Sequence, residues 1–260
     1  MILSRLRASI ILAGFAGLTL PLMPLQQLFV WFWPHMARVF PMHYHRMVLR
    51  VLGVRVNIEG EVIQKGPAIL ASNHVSWLDI VILSSVAPVS FVARHDVNGW
   101  PFFGSLARLQ QTVFVDRNRR HTTGTSRNEM QDRLSAGDIL VLFAEGTSGD
   151  GASVLPFKTA FFAAADRPDV TVQPVTVVYS GHRNLPMTRR LRPLYAWYGD
   201  MDLPPHLWKA LASGPIEITV QAHALLTLAD VGNRKVLAKT VEDTVRAGLV
   251  HSLHGATKTR

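Results

Sequence analysis

The distribution of hydrophobic and polar residues divides the chain into two parts. Residues 8–37 contain no charged side chain, and a run of this length can cross a bilayer core, which takes a helix of about 20 apolar residues. Pro21 and Pro24 interrupt the run, and proline inside a helix removes a hydrogen bond and bends or ends the helix. The pattern therefore predicts a membrane-associated helical segment over residues 1–50, either as one kinked span or as two short helices that enter one leaflet.

The residues at both ends of this run favour a membrane interface. Trp31 and Trp33 close it, where amphipathic aromatic rings prefer the headgroup level. Arginines, which attract anionic lipid, flank the run at positions 5, 7, 38, 46, 50 and 55. The positive-inside rule is best satisfied with both ends on the cytoplasmic side, so we expect the rest of the chain at the cytoplasmic face of a bacterial inner membrane. A cleaved signal peptide is the alternative, although no small-x-small cleavage site follows Leu20.

After residue 55 the pattern changes to short apolar runs separated by helical stretches. Strands are predicted over residues 54–58, 68–71, 89–93, 112–115, 139–143, 170–178, 194–198 and 216–220, and helices over residues 78–85, 102–109, 126–136 and 233–249. This alternation predicts a single α/β domain with a largely parallel central sheet flanked by helices. We assign the domain to residues 51–250, followed by a polar tail over residues 251–260.

Composition narrows the classes of function. The chain has 27 Lys and Arg against 18 Asp and Glu, a net charge of +9, yet 17% of its residues are charged, compared with about 25% in ordinary soluble domains. It has no cysteine, which excludes disulfide scaffolds, zinc ribbons, iron–sulfur ligation and thiol nucleophiles. Basic clusters at residues 119–121 and 189–192 suit anionic lipid, an acidic carrier protein or solvated loops. No nucleic-acid-binding motif accompanies them, so we expect no nucleic-acid partner.

The strongest chemical signal follows the predicted strand at residues 68–71. His74 and Asp79 are five residues apart, so they can meet if His74 lies in a turn and Asp79 in the first turn of the next helix. Ser76 suits the N-cap of that helix, with Asp79 three residues later as a variant capping box. Two interpretations fit: Asp79 caps a helix and His74 fills a loop, or the carboxylate orients the imidazole as a general base.

Two further segments lie where ligands bind in open α/β sheets, beyond the carboxyl ends of strands. Residues 143–151 form a glycine-rich loop with Glu145 at its start, which fits a substrate loop or a polar turn. Arg94 and Arg117 each end a predicted strand, so their guanidinium groups either converge on an anion or pair at the surface with Asp96 and Asp116. His35, His43 and His45 lack a carboxylate at metal-ligand spacing, so we expect no metal site.

The order of these segments resembles the glycerolipid acyltransferase family, of the lysophosphatidate type, over about residues 50–250. The His-x4-Asp motif of the family matches His74 and Asp79, and its Phe-Pro-Glu-Gly-Thr motif matches residues 143–147. An intervening motif matches residues 91–117, and a short hydrophobic motif around a proline matches residues 172–178.

The resemblance implies transfer of an acyl group from an acyl carrier protein or coenzyme A thioester to the hydroxyl of a membrane lysolipid, without a cofactor or metal. His74 would be the base and Asp79 its orienting partner. Backbone N–H groups near Trp77, at the start of the helix, would stabilise the oxyanion. The substrate-binding residues would be Arg94, Arg117, Glu145, Gly146 and Thr147.

Several departures from the family pattern concern the acceptor. Ala144 replaces a proline, Arg94 stands where lysine is common, and Gln111 stands where glycine is frequent. Ser148 occupies a position where members that use a glycerol phosphate acceptor usually carry an arginine, and a phosphate needs charge-assisted donors. The segment 145–151 instead resembles the branch that acylates the 3-hydroxyl of lyso-ornithine lipid, in which Asp150 suits the cationic head group. Lysophosphatidate is the alternative acceptor.

Two functions of other kinds remain open from the sequence. A lipid hydrolase would use Ser72 or Ser76 as its nucleophile, but neither serine lies in a Gly-x-Ser-x-Gly elbow. A membrane-anchored lipid-binding or partner-binding module would give His74 and Glu145 structural roles.

Overall fold

A helical hairpin forms the N-terminal part of the chain. In the computed structural model, residues 2–115 and 122–255 are described, and the hairpin consists of α1 (Ile2–Phe32) and α2 (Pro34–Leu52). The predicted interruption at Pro21 and Pro24 is wrong, because α1 continues through both prolines and the chain turns at Trp33. Each proline removes one backbone donor, and packing of α1 against α2 and the following domain maintains the helix.

The hairpin ends at Gly53, where the backbone adopts a conformation that favours glycine. Gly53 has φ +73° and donates its N–H to the carbonyls of Arg50 and Leu49. Glycine is favoured in this left-handed position because it has no Cβ. The chain then enters the first strand of the sheet.

The remaining helices and strands alternate along the chain. They are β1 (Val54–Glu59), β2 (Ala68–Ser72), α3 (Leu78–Val86), β3 (Val89–Arg94), α4 (Phe103–Leu109), β4 (Val113–Val115), α5 (Thr122–Ser135), β5 (Ile139–Phe143), β6 (Thr171–His182), β7 (Leu185–Pro186), α6 (Leu203–Ser213), β8 (Ile216–Ala222), α7 (Leu228–Val231) and α8 (Arg234–Gly255). Short 3-10 helices cover His95–Gly99, Thr159–Ala165 and Arg192–Leu194.

These strands form one sheet in the order β1-β8-β6-β2-β5-β3-β4, with β7 paired to β6. Neighbours along this order are parallel except β6 and β8, and β7 is antiparallel to β6. The central strand β2 is buried at every position, as its uninterrupted apolar sequence predicts for a parallel sheet with both faces covered. The predicted fold class is confirmed.

Both faces of the sheet carry a hydrophobic core. On one face, Ala8, Ile11 and Val48 of the hairpin belong to the core that covers β2, β6 and β8. On the other face, Leu134 of α5 and Leu237 of α8 pack against β2, β5 and β6. The hairpin is therefore part of the folded core.

Three local predictions differ from the structure. The strand predicted over residues 194–198 is wrong: this segment is irregular after the 3-10 helix Arg192–Leu194. Its apolar residues, such as Tyr195 and Ala196, are buried because the segment packs beneath the loops at the strand ends. The helix α6 was not predicted. The expected polar tail is helical in its first five residues, 251–255, because α8 continues to Gly255.

Candidate active site

The candidate site lies at the carboxyl ends of two neighbouring parallel strands. β2 pairs with β5 in parallel, with Ser72 opposite Phe143. The next residues of each strand therefore emerge side by side, which brings His74 and Glu145 to the same edge of the sheet.

His74 and Asp79 are in direct contact, as the sequence spacing predicts. Nδ1 of His74 lies 2.9 Å from Oδ2 of Asp79. The carboxylate is fully buried, whereas the imidazole keeps 16% of its surface exposed. Because a carboxylate accepts hydrogen bonds, it favours the tautomer with the proton on Nδ1. Nε2 is then free to take a proton from a substrate.

Asp79 also organises the turn that carries His74. Its Oδ2 accepts the backbone N–H of Val75 at 2.6 Å and that of Ser76 at 2.9 Å. Both donors lie in the turn between His74 and α3. The prediction that Ser76 is the N-cap is wrong, because Trp77 holds that position and no side chain caps α3. Asp79 thus orients the imidazole and closes the turn with the same oxygen.

Tyr179 is a site residue that the sequence reasoning missed. Its hydroxyl donates to Oδ1 of Asp79 at 2.8 Å, and the side chain is buried. Burial and the neighbouring negative charge of Asp79 raise the pKa of Tyr179 well above its usual value, so it stays a donor. Tyr179 lies on β6, which pairs with β2. The strand order, which the sequence did not reveal, is the information that would have identified it.

Phe143 fixes the plane of the imidazole. The rings of His74 and Phe143 are stacked, with centroids 3.9 Å apart and an angle of 16° between the planes. Together with the bond to Asp79, this contact leaves His74 little freedom to rotate.

Glu145 braces the site through backbone contacts. Its Oε1 accepts the N–H of His74 at 3.0 Å and its Oε2 accepts the N–H of Leu155 at 3.2 Å, and the residue is 3% exposed. Burial raises the pKa of Glu145 to about 8, and the nearby charge of Asp79 adds to the increase. The carboxyl group therefore links the loop after β5 to the His74 turn.

Gly146 and Thr147 occupy the outer part of this loop. Gly146 has φ +77°, a conformation that favours glycine, and its N–H donates to the Phe143 carbonyl at 3.0 Å. Thr147 is exposed at the surface beside it. Both follow the buried Glu145 directly in the sequence.

The structure describes one of the two arginines that were predicted to bind substrate. Arg94 ends β3 and forms two hydrogen bonds with Asp96, at 3.0 Å and 3.2 Å. Both side chains are largely exposed, so the structure places Arg94 in the surface ion pair given above as the alternative. Arg117 lies outside the described residues, as do Asp116 and the basic cluster at residues 119–121.

A third chain segment packs against the turn that carries His74. The Trp197 N–H donates to the Val75 carbonyl at 2.9 Å, and the Gly149 N–H donates to the His74 carbonyl at 2.8 Å. The Ser148 hydroxyl donates to the Trp197 carbonyl. The segment 194–198, which was expected to be a strand, thus packs against the turn that carries His74.

Neither serine proposed for a hydrolase can reach a lipid. Ser72 and Ser76 are both 0% exposed. The Ser72 hydroxyl donates to the carbonyl of Asn73 at 2.9 Å. Burial therefore argues against a serine nucleophile at either position.

Of the three histidines considered above for a metal site, His45 contacts Ser84 at 2.8 Å through Nδ1. Within residues 2–115 and 122–255, no three side chains of His, Asp or Glu come together as a metal site.

The hairpin presents an apolar surface. α1 is long and apolar enough to cross a membrane by its length and composition. Large hydrophobic side chains are exposed along it and at the turn to α2: Ile2, Leu3, Leu6, Ile10, Leu20, Leu28, Trp31, Phe32 and Trp33.

The same helix is attached to the domain at several points along its length. Arg7 Nε donates to the Leu211 carbonyl at 3.1 Å, and Gln26 Nε2 donates to the Leu109 carbonyl at 2.9 Å. Between these points, the ring of Phe15 meets that of Phe102 with centroids 6.2 Å apart. One face of α1 is therefore held against the protein while the other is open.

Comparison with known proteins finds acyltransferases that are similar to this chain along most of its length. A lyso-ornithine lipid O-acyltransferase of Brucella abortus is 43% identical over 96% of both chains. One from Rhizobium meliloti is 42% identical over 92% of this chain and 85% of its own. A 1-acyl-sn-glycerol-3-phosphate acyltransferase of Neisseria gonorrhoeae is 32% identical over 69% of this chain and 68% of its own.

A solved structure has the same fold. The 1-acyl-sn-glycerophosphate acyltransferase of Thermotoga maritima superposes with a TM-score of 0.69 at 19% identity, over 99% of this chain and 98% of that one. The family model described as Acyltransferase matches residues 54–178, a range that contains both the His74 turn and the Glu145 loop. With relatives this similar along most of its length, the chain belongs to the acyltransferase family.

Proposed function

We propose that this acyltransferase moves a fatty acyl group from an acyl carrier protein or coenzyme A thioester to the hydroxyl of lyso-ornithine lipid. The observation that carries the proposal is the contact of 2.9 Å between His74 Nδ1 and Asp79 Oδ2 at the rim of the sheet. It prepares an imidazole to accept a proton from a hydroxyl group, which is the chemistry that acyl transfer to an alcohol requires.

The reaction begins when His74 Nε2 takes the proton of the acceptor hydroxyl as its oxygen attacks the thioester carbonyl. The tetrahedral intermediate collapses, the carbon–sulfur bond breaks, and the thiolate takes the proton from the imidazolium. Asp79 stabilises the imidazolium in between, and Tyr179 holds Asp79 through its other oxygen. The N–H groups of Val75 and Ser76 are bound to Asp79. We therefore assign the oxyanion to the next N–H group, that of Trp77, at the start of α3.

The choice of acceptor rests on the relatives and on Ser148. The Brucella and Rhizobium proteins are named for lyso-ornithine lipid, and they are more similar to this chain than the Neisseria protein, which is named for 1-acyl-sn-glycerol-3-phosphate. Ser148 donates to the Trp197 carbonyl and supplies no positive charge for a phosphate. Because the Neisseria relative is still 32% identical, 1-acyl-sn-glycerol-3-phosphate is the second candidate acceptor.

The hairpin is proposed to enter one leaflet at the cytoplasmic face of the inner membrane. Arg7 and Gln26 both bind backbone carbonyls of the domain, although about 28 Å of helix separates them at about 1.5 Å per residue. A helix that crossed the bilayer would carry one of these residues away from a domain on one side. The contacts support a helix that lies along the domain, with its exposed apolar face in the lipid. The acceptor then reaches His74 without leaving the membrane.

The test is turnover by purified protein with both acceptors, each supplied with an acyl carrier protein and a coenzyme A thioester. We expect diacylated ornithine lipid as the product, detected by mass spectrometry. We also expect His74→Ala to abolish transfer while the protein stays folded, because the variant lacks the base but keeps the Asp79 contacts with the backbone. Near-normal turnover in His74→Ala, or product from the glycerol phosphate acceptor alone, contradicts the proposal.

A further inference from the structure

A buried arginine without a side-chain partner lies beside the catalytic turn. Arg192 begins the 3-10 helix Arg192–Leu194 and is 8% exposed. Its backbone is bonded normally, with the N–H donated to the Thr188 carbonyl at 3.1 Å. Its guanidinium, in contrast, forms no hydrogen bond or ion pair with any residue that the structure describes. A guanidinium carries five donors and keeps its charge in proteins, so the donors that the described residues leave unpaired are available to an anionic ligand.

The position of Arg192 connects it to the site. A Cβ added to Gly151 would lie 3.1 Å from Cδ of Arg192 and 3.0 Å from Cγ1 of Val75. The stem of Arg192 therefore crosses Gly151 next to the residue that follows His74. The Trp197 bond to the Val75 carbonyl holds the segment there.

The charges around Arg192 have both signs. The Asp150 carboxylate attracts the guanidinium and Arg189 repels it, while burial lowers the pKa of Arg192. Asp150 is exposed, and its Oδ1 accepts the N–H of Ala152 at 2.8 Å, which leaves its other oxygen open. A cation and an anion thus stand close together next to the catalytic turn.

We propose that Arg192 binds the carboxylate of the acceptor's amino-acid head group and that Asp150 binds its ammonium group. This assignment rests on the proposed function, since it requires an ornithine head group. A carboxylate matches the two-pronged geometry of a guanidinium, and a zwitterion matches the paired charges. A phosphate monoester, with up to two negative charges, would instead be repelled by Asp150.

The arrangement also explains the role of Ser148. A serine at this position ties the loop after β5 to the segment that carries Arg192, through the Trp197 carbonyl.

The experiment compares lyso-ornithine lipid with its carboxyl methyl ester, which lacks the negative charge and is larger by one methyl group. We expect the wild-type protein to prefer the free acid in kcat/KM by about tenfold or more, as for a charge-assisted bidentate contact. In Arg192→Gln we expect this preference to disappear, with a KM for the free acid raised about tenfold and an unchanged KM for the thioester. Arg190→Gln, which changes an exposed arginine nearby, is the matched control.

Arg192→Lys is the second variant, and we expect it to keep part of the preference because it keeps the charge but loses the fork. If Arg192→Gln does not fold, this variant and the wild-type comparison decide the question. An equal decrease in kcat/KM for the free acid and for the methyl ester in Arg192→Gln overturns the assignment. A raised KM for the thioester alone also overturns it and places the phosphate of the donor at Arg192. Both leave the proposed function intact, whereas wild-type protein that acylates lysophosphatidate and not lyso-ornithine lipid refutes that function.

Discussion

Asp79 and Glu145 are two buried carboxyl groups that follow neighbouring strands, yet their surroundings differ. Asp79 receives four hydrogen bonds: from the His74 imidazole, from the N–H groups of Val75 and Ser76, and from the Tyr179 hydroxyl. Glu145 receives two, both from backbone N–H groups. Donors stabilise a buried negative charge, and their scarcity favours the protonated acid.

This difference in hydrogen-bond donors indicates different roles for Asp79 and Glu145, which the sequence motifs do not distinguish. Asp79 contacts the imidazole directly and is held by three further donors, which suits it to stabilise a positive imidazolium during the reaction. Glu145 has a pKa raised to about 8 by its burial and touches main chain on both sides. We therefore interpret Asp79 as the partner of the catalytic base and Glu145 as a neutral brace that holds the turn in place. Variants at the two positions should behave differently.

The largest effect is expected for Asp79→Asn. The asparagine amide is neutral, so it no longer stabilises the imidazolium, and where its NH2 group faces Nδ1 it favours the tautomer whose Nε2 already carries a proton. By analogy with the same change in a serine protease triad, kcat should fall on the order of 10³–10⁴-fold. Steady-state kinetics check this, with Asp243→Asn on the exposed side of α8 as the control. A loss of less than tenfold would show that the charge of Asp79 is not needed.

A smaller effect is expected for Tyr179→Phe, which removes one of the four donors and leaves the ring. Asp79 would keep its contact with His74 but lose the restraint on its second oxygen. We expect kcat to fall about tenfold with little change in KM, together with a shift of the downfield proton resonance of the His74 Nδ1–H. A single hydrogen bond to a charged group is typically worth about 1.5–3 kcal/mol, which allows a decrease of this size.

The matched control is Tyr44→Phe, because the Tyr44 hydroxyl bonds Thr19 within the hairpin. It should leave both the kinetics and the resonance unchanged. If Tyr179→Phe raises KM instead, Tyr179 acts on substrate binding and is not a positioning residue for the base.

The smallest effect on turnover is expected for Glu145→Gln, and its main consequence should appear in stability. Folded Glu145 keeps its proton up to about pH 8, whereas the free side chain loses it near 4.5. The folded state therefore binds more protons between these values, so this group's contribution to stability falls as pH rises from about 4.5 to about 8. The slope approaches about 1.4 kcal/mol per pH unit at most.

Urea unfolding at several pH values measures this slope. Glu145→Gln should remove it, while Glu129→Gln, at an exposed position of α5, should retain it. An unchanged slope in Glu145→Gln would mean that Glu145 is ionised in the folded protein, and the contrast with Asp79 would be lost.

Local patterns were enough to predict the sheet and the central pair of the site. The strands are short apolar runs between helical segments, and the spacing of His74 and Asp79 allows contact across a turn. The resemblance to a known family added the Glu145 loop. Each of these features depends on residues that are close together in the sequence.

Features that depend on distant contacts were not predicted. Tyr179 is 100 residues from Asp79, and nothing in its own segment indicates that β6 lies beside β2. The segment 194–198 is apolar because it packs against the turn that carries His74. A short apolar run in the sequence does not distinguish such packing from a strand in a sheet. Arg192 belonged to a basic cluster in the sequence, and the structure alone reveals that it is buried while Arg189 and Arg190 stay exposed.

The attachment of α1 along the domain has a consequence for how this protein can be handled. Ala8, Ile11 and Val48 are core residues of the sheet as well as members of the hairpin. Proteolytic removal of the first fifty residues would strip one face of the sheet of its cover and would not release an intact catalytic fragment. Detergent or a lipid nanodisc, rather than truncation, is the route to a preparation that retains its native packing.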